Sequence, residues 1–283
     1  DWSSDVCFSD LGQPAITYGV RGMTYTEVAL HGANQDMHSG QWGGRVPNPI
    51  NELCRVLAQL HDSEGRVAIP GFYHDVRELT DEERRAWAEL EIDDKAMLAS
   101  VGLPPEADSG EQGYTPTERN WARPCADING IIGGYTGAGA KTVIPASARA
   151  KVSFRLVPKQ DAAQIRDMFF GWLHERTPPG FRWELIDHSG GAAAEVPTDS
   201  PYLAAARRAL ERASGEEAAL IKTGGSIPIA GLLKRMLGLD TIFMGFGLDD
   251  DRVHAPNEKF ELACFRLGMR AHALYADELR RHG

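Results

Sequence analysis

The order of extended and helical segments constrains the fold of this chain more than any other feature. Apolar and polar side chains alternate in the extended segments, and apolar residues recur every three or four positions in the helical ones. In chain order the six segments lie at residues 23–30, 50–57, 127–132, 150–157, 165–172 and 181–186. The order strand, helix, strand, strand, helix, strand predicts one α+β sandwich layer over residues 21–190.

A second run of elements follows residue 190. Residues 201–213 have helical spacing, residues 239–244 form a mostly apolar segment typical of a buried strand, and residues 259–281 predict a long helix. This alternation indicates an α/β unit. Roughly ninety residues make up only part of such a domain, so we expect its remaining strands to lie upstream.

Composition excludes several classes of protein. The net charge of −10 across 283 residues comes with no offsetting basic stripe, which argues against a nucleic-acid partner. No run of eighteen apolar residues and no charged-then-apolar leader is present, so we expect neither a membrane span nor a signal peptide. The cysteines Cys7, Cys54, Cys125 and Cys264 are scattered without a CxxC pair. Reduced thiols in a cytoplasmic protein are therefore expected, rather than a thiolate zinc site.

Three positions carry side chains suited to chemistry. His38 lies in a loop rich in Gly and Ser, where it could reach a ligand or simply hydrogen-bond its own loop. Arg155 is on the polar side of its predicted strand and offers a two-pronged donor for a carboxylate, although a surface ion pair is an equal alternative. His254 follows the predicted strand at 239–244 in a loop with three aspartates, a typical place for a metal ligand.

The glycine-rich stretch at residues 133–142 invites comparison with a phosphate-binding loop. Such a loop needs a glycine directly before the lysine, but Ala140 separates Gly139 from Lys141. The segment VIP that follows also blocks the helix that such a loop requires. A turn that exposes backbone N–H groups to a carboxylate remains possible.

Four motifs together resemble one family. DMHSGQWGGRVPNP, DINGIIGGYTGAGAKTVIP followed by FRLVP, GGSIPI, and HAPNEKF are similar to motifs of the M20 zinc metallopeptidases, in the dipeptidase branch that includes carnosinase-like enzymes. The resemblance runs from Gly12 to the carboxyl terminus. It implies an architecture of α/β plus α+β type. A partial zinc-peptidase α/β catalytic domain would carry an inserted α+β sandwich lid, which dimerises.

The resemblance also implies domain boundaries. Residues 12–20 would end the first catalytic segment, residues 21–190 would form the lid, and residues 191–283 would form the carboxyl-terminal part of the catalytic domain. Residues 1–11, DWSSDVCFSDL, resemble the translation of a sequencing adapter, and we interpret them as an artefact.

Roles for individual residues follow from the same resemblance. His254 matches a zinc ligand, and His38 matches the histidine that reaches across the dimer to stabilise the oxyanion. The implied substrate contacts are Thr142, Arg155, His188 and Ser226. The intact parent would bind two zinc ions and hydrolyse a dipeptide or an N-acyl amino acid.

The resemblance is incomplete in its metal ligands. The His-x-Asp motif, the bridging aspartate and the Glu-Glu pair of the family do not occur from Gly12 onward, and we attribute Ser9-Asp10 to the adapter-like string. His254 alone remains of five ligands, so the chain is expected to be an inactive fragment. The alternatives are a noncatalytic dimerisation module and a fragment of an N-acyl amino acid deacylase. The run GFYHDVRELTDEERR favours the dipeptidase branch over the deacylase.

Overall fold

The structure, a computed structural model, describes residues 13–253 and 255–282. The strands are β1 (Ala15–Val20), β2 (Gly22–His31), β3 (Met37–His38), β4 (Cys125–Gly133), β5 (Val143–Ile144), β6 (Ser147–Leu156), β7 (Arg182–Gly191), β8 (Ala194–Glu195) and β9 (Ala219–Thr223). The helices are α1 (Ser39–Trp42), α2 (Pro49–Leu57), α3 (Asp81–Ala88), α4 (Asp94–Ser100), α5 (Pro116–Ala122), α6 (Ala162–Glu175), α7 (Pro201–Ser214), α8 (Pro228–Leu237) and α9 (Leu262–His282).

The larger sheet has four strands in the order β4-β6-β2-β7, and all neighbouring strands are antiparallel. Directly opposed residues of an antiparallel pair share one face of the sheet. One face is therefore apolar, with pairs such as Val28–Ala150, and it packs against α2 and α6. The other face carries pairs such as Glu27–Lys151 and Met23–Arg155. The alternation in the sequence thus gives the sheet one apolar face and one polar face, and α8 lies close to the polar face where β7 ends.

The smaller sheet has three strands in the order β8-β1-β9, in which β1 runs antiparallel to β8 and parallel to β9. Helices α7 and α9 pack against each other beside it, and their buried side chains join those of β1 in one apolar cluster. The chain crosses between the two sheets at Arg21 and again at residues 192–193. The predicted mixture of an α+β layer and an α/β unit is confirmed.

Residues 77–122, called the strap below, pack against the smaller sheet although they belong to the predicted lid. Leu90 and Trp121 of the strap contact Ala15, Ala219 and Ile221. An ion network around the buried Lys222 reinforces this contact. Its distances are 3.0 Å from Lys222 Nζ to Glu195 Oε2, 3.2 Å from Arg77 Nη2 to Glu195 Oε1, and 2.7 Å from Arg77 Nη1 to Glu83 Oε2.

Glu83 of this network should make stability depend on acid pH. Burial opposes its ionisation, but the hydrogen bonds from Arg77 and from the Thr80 N–H, together with the Lys222 charge, outweigh burial and lower the pKa of Glu83 to about 2. A depressed carboxyl pKa contributes stability that is complete above the unfolded-state pKa of 4.5 and is lost as the pH falls towards 2. We expect Glu83→Gln to remove on the order of 2–3 kcal/mol at pH 7 and little at pH 2.

Urea unfolding at a series of pH values between 2 and 7 measures this difference. Glu82→Gln is the matched control, because the neighbouring side chain is 78% exposed whereas that of Glu83 is 17% exposed. A free-energy difference between wild type and Glu83→Gln that does not vary with pH would contradict the assignment.

Local sequence signals specify several element boundaries. Asn48 Oδ1 accepts a hydrogen bond of 2.9 Å from the Ile50 N–H and opens α2, as the Asn-Pro pair predicts. Thr80 and Glu83 form the capping box that opens α3. Within the described residues, no helix is both long enough and apolar enough to cross a bilayer.

The strand predicted at residues 239–244 is wrong. Only Phe243 pairs with another strand, through a single antiparallel bridge to Thr17, and residues 239–240 are exposed. Along β1, β8 pairs with Gly19 and Val20, and β9 lies on the other edge. Apart from the Phe243 bridge, residues 239–244 therefore form a loop beside the open part of β1.

Candidate functional site

Arg155 and Ser226 lie together where the two sheets meet. Arg155 is at the end of β6 on the polar face, and its Nη1 donates a hydrogen bond of 2.8 Å to Ser226 Oγ. Ser226 Oγ in turn donates to the Gly22 carbonyl at 3.2 Å. Among the described residues, Arg155 has no carboxylate within ion-pair distance, so the surface ion pair considered above does not form. Its half-buried guanidinium keeps donors for a further anionic group.

Arg21 joins this pair, and the sequence analysis missed it. Its Nε donates to the Gly224 carbonyl at 3.0 Å, and its Nη2 donates to Asn120 Oδ1 at 3.3 Å. Its Nη1 lies 3.5 Å from Cys125 Sγ, and Cys125 is directly opposite Arg155 in the sheet. Burial lowers the pKa of Arg21 from its usual value and raises that of the Cys125 thiol. A charged residue between two apolar strands was the signal available in the sequence.

His38 and Thr142 form a second pair. His38 ends β3 and pairs with Val143 of β5, which brings its Nε2 to 3.5 Å from Thr142 Oγ1. Its Nδ1 accepts a hydrogen bond of 3.0 Å from the Gly40 N–H, so Nε2, beside Thr142 Oγ1, is the ring nitrogen that can donate. Both side chains are exposed.

The two pairs lie at opposite ends of the larger sheet. Ser147 and Arg155 are eight positions apart in β6, which at about 3.3 Å per residue spans roughly 26 Å. The His38–Thr142 pair lies beyond the Ser147 end, because β3 and β5 form a separate sheet there and the Ala146 N–H donates to Asp36 Oδ1 at 2.8 Å. One chain therefore does not bring His38 and Thr142 to Arg155 and Ser226.

His188 lies on the same polar face, in β7. Its Nε2 is 3.5 Å from Glu27 Oε2, and its ring contacts that of Tyr25 at a centroid distance of 5.6 Å. Tyr25 is two positions along β2 from Met23, the residue opposite Arg155. His188 is therefore nearer to Arg155 than to His38, but it contacts neither.

No metal centre forms among residues 13–253 and 255–282, where no three or more His, Cys, Asp or Glu side chains are grouped to hold an ion. The predicted ligand His254 and the rejected ligand Asp10 lie outside the described residues. Two of the aspartates before His254 form ion pairs with a lysine. Lys259 Nζ contacts Asp250 Oδ1 at 2.9 Å and Asp251 Oδ1 at 3.0 Å.

Comparisons with known proteins identify relatives of this chain. The family model of the M20 peptidase dimerisation domain matches residues 18–180. The Cys-Gly metallodipeptidase DUG1 of Candida albicans is 31% identical over 91% of this chain and 53% of its own length. The human Beta-Ala-His dipeptidase is 30% identical over 90% of this chain and 51% of its own length. The chain thus spans about half the length of these curated relatives.

A solved structure agrees with the sequence relatives. The M20 family metallo-carboxypeptidase Sso-CP2 of Sulfolobus solfataricus superimposes with a TM-score of 0.82 at 31% identity. The match covers 93% of this chain and 60% of that protein. The larger sheet, the smaller sheet and the elements between them therefore have a counterpart of known structure.

Proposed function

Because the chain belongs to the M20 peptidase family, in its dipeptidase branch, we propose that it supplies the dimerisation lid and the substrate-carboxylate site of a metal-dependent dipeptidase. Residues 21–190 form the lid in this proposal, and residues 191–283 belong to the catalytic domain. The observation that carries the proposal is Arg155, a half-buried guanidinium without a carboxylate partner among the described residues and oriented by Ser226.

Arg155 binds the free carboxylate of a dipeptide, and Ser226 orients it. A guanidinium matches a carboxylate with two parallel hydrogen bonds, which fixes the position of the substrate as well as attracting its charge. His188 lies on the same face in β7, beside Tyr25 of the intervening strand β2, and contacts the next part of the substrate. These three residues act within one chain.

His38 and Thr142 act on the site of the partner subunit. Since roughly 26 Å of strand separates them from Arg155 in one chain, a dipeptide bound at Arg155 does not reach them. A two-fold dimer brings the same surface of both subunits together and so exchanges residues between the two sites. The Nε2–H of His38 then donates to the oxyanion that forms at the scissile carbonyl.

The metal of the family has no complete site among the described residues. His254 is the single ligand that we assign to this chain, and the remaining ligands come from the part of the relatives that this chain does not span. Zinc is the metal that we propose for the complete enzyme. The described residues do not fit a metal ion by themselves, so the activity of the complete enzyme does not follow from this chain alone.

Dipeptide binding tests the role of Arg155. We expect a dipeptide such as Cys-Gly or β-Ala-His to shift NMR signals near Arg155 and Ser226, and the corresponding dipeptide amide to do so far less. Arg155→Lys keeps the charge but loses the two-pronged donor, which should weaken binding roughly ten- to a hundredfold.

Arg149→Lys is the matched control, because Arg149 lies on the same face of the same strand but is engaged by Glu27 at 3.4 Å and Glu184 at 3.6 Å. Equal binding of the acid and the amide, or equal effects of the two substitutions, would refute the assignment. N-acetyl amino acids in the same titration test the deacylase alternative.

The edge strand β4 is the surface that we propose for dimerisation. It ends the larger sheet, so its outer backbone edge has no neighbouring strand among the described residues. Ile131 and Ile132 are 50% and 60% exposed on it, and Ile50 of the helix that follows the loop at residues 36–48 packs close to Gly133 at its end. An apolar unpaired edge is unusual for an isolated chain and typical of one that pairs with a second copy.

Ile132→Lys should therefore disrupt the dimer. A charge on the apolar edge costs on the order of 2 kcal/mol when the edge is covered, and we expect the dimer dissociation constant to rise at least about tenfold. Analytical ultracentrifugation at micromolar concentrations measures this change. Met97→Lys, at a 46% exposed position of α4, is the control for surface charge. A wild-type chain that stays monomeric, or equal effects of both variants, would exclude this interface.

A further inference from the structure

Arg21 occupies the junction between the two sheets. It is the single residue between β1 and β2, and its backbone N–H donates to the Gly225 carbonyl at 3.0 Å. The loop at residues 224–226 follows β9 of the smaller sheet, whereas Arg155 belongs to the larger sheet. The Arg155–Ser226 contact therefore bridges the two sheets, and its geometry depends on how they are held together.

The side chain of Arg21 connects several chain segments at this junction. Its hydrogen bonds reach Gly224 after β9, Asn120 at the end of the strap, the Arg123 carbonyl at 3.4 Å, and Cys125 at the start of β4. These partners are carbonyl oxygens, an amide oxygen and a sulfur. Among the described residues, Arg21 lies within ion-pair distance of no carboxylate, so its orientation is set by the positions of these acceptors. An ion pair with one mobile acid would not fix three segments in this way.

The fit around Gly224 shows how closely these groups approach. A Cβ at this position would lie 1.7 Å from Asn120 Oδ1 and 2.6 Å from Arg21 Nη2. Only glycine lets the loop come this near to the guanidinium. The loop that carries Ser226 is thus held from the Gly224 side by Arg21 and from the Ser226 side by Arg155.

We propose that Arg21 is a positioning residue, which fixes the loop at residues 224–226 against the larger sheet and so sets Ser226 at hydrogen-bond distance from Arg155. It acts on the substrate through Ser226 and Arg155 and does not itself touch the reacting atoms. The functional meaning rests on the proposed role of Arg155, but the positioning does not require a substrate.

Hydrogen exchange on the whole chain without ligand tests this positioning. In Arg21→Met we expect amide exchange in residues 223–227 to rise at least about tenfold, while the β2–β6 ladder around Val28 and Val152 keeps its protection. The side-chain ¹⁵N signal of Arg155 should move to the position that it takes in Ser226→Ala. Arg21→Lys retains the charge and one donor group. It should therefore show a smaller rise in amide exchange and a smaller shift of the Arg155 signal than Arg21→Met.

Two further variants make each outcome decisive. If Arg155→Met raises exchange in residues 223–227 as much as Arg21→Met does, the loop is held by the Arg155–Ser226 bond and the inference is wrong. If Arg21→Met unfolds the chain, Gly224→Ala decides, because its Cβ forces both the Asn120 amide and the Arg21 guanidinium to move without removing either. Unchanged loop exchange and an unmoved Arg155 signal in Gly224→Ala would then overturn the proposal. The exchange and NMR measurements contain no substrate, so they test the positioning alone. A failure of dipeptide binding would refute the role of Arg155 and leave the positioning by Arg21 intact.

Discussion

Arg123→Met is expected to destabilise the chain by about 3–5 kcal/mol, because it removes the main partner of a buried carboxylate. Arg123 and Glu111 are 3% and 6% exposed and form two hydrogen bonds of 2.7 Å. The guanidinium also lies over the Tyr114 ring at 4.3 Å. Glu111 has Arg66 as its remaining cation, at 3.5 Å and partly exposed. Removing Arg123 therefore leaves the buried Glu111 carboxylate with only this longer contact to a partly exposed arginine.

The double variant Arg123→Met/Glu111→Leu separates charge from packing. Replacing both members of a buried ion pair with apolar side chains is often close to neutral, so the double variant should recover much of the loss. Arg85→Met is the surface control, since the Arg85 and Glu82 side chains are 70% and 78% exposed and such pairs contribute about 0–1 kcal/mol. Urea unfolding measures all three variants, because a shift of the midpoint at an unchanged m-value is a change in the free energy of unfolding. A loss below about 1 kcal/mol for Arg123→Met would contradict the argument.

The larger sheet could be predicted from the sequence because its strands alternate over many residues. Strand β6 has polar and apolar side chains in strict succession, and a period of two indicates one polar face and one apolar, packed face. Short apolar runs were less informative. Strand β9 was missed, and residues 239–244 were assigned to a strand that does not form, because an apolar run predicts burial but not which backbone it pairs with.

The candidate site was predictable only in part. Motifs identified Arg155, Ser226, His38 and Thr142, but a linear motif contains no distance, so the separation of these residues into two pairs became visible only in the fold. Arg21 has no local signature either. Its acceptor Gly224 is 203 positions away in the chain, and only tertiary packing brings the two together.

The chain by itself is expected to show no dipeptidase activity with Cys-Gly or β-Ala-His, even with excess zinc. A catalytic zinc ion needs about three protein ligands to hold it while leaving a position open for water. The described residues offer no such group, and His254, outside them, is one ligand. A single imidazole does not retain the ion at the site, so excess metal cannot substitute for the missing ligands.

Product formation by the purified chain, followed by chromatography, measures this. The Candida albicans Cys-Gly metallodipeptidase under the same conditions is the positive control. Hydrolysis that a chelator abolishes and that His254→Ala also removes would show that this chain assembles a working metal site, and would overturn the proposed division of ligands. Hydrolysis that survives His254→Ala would instead come from a copurified peptidase. Dipeptide binding at Arg155 without hydrolysis is the outcome that the arrangement of residues leads us to expect, because the carboxylate site and the metal site depend on different parts of the fold.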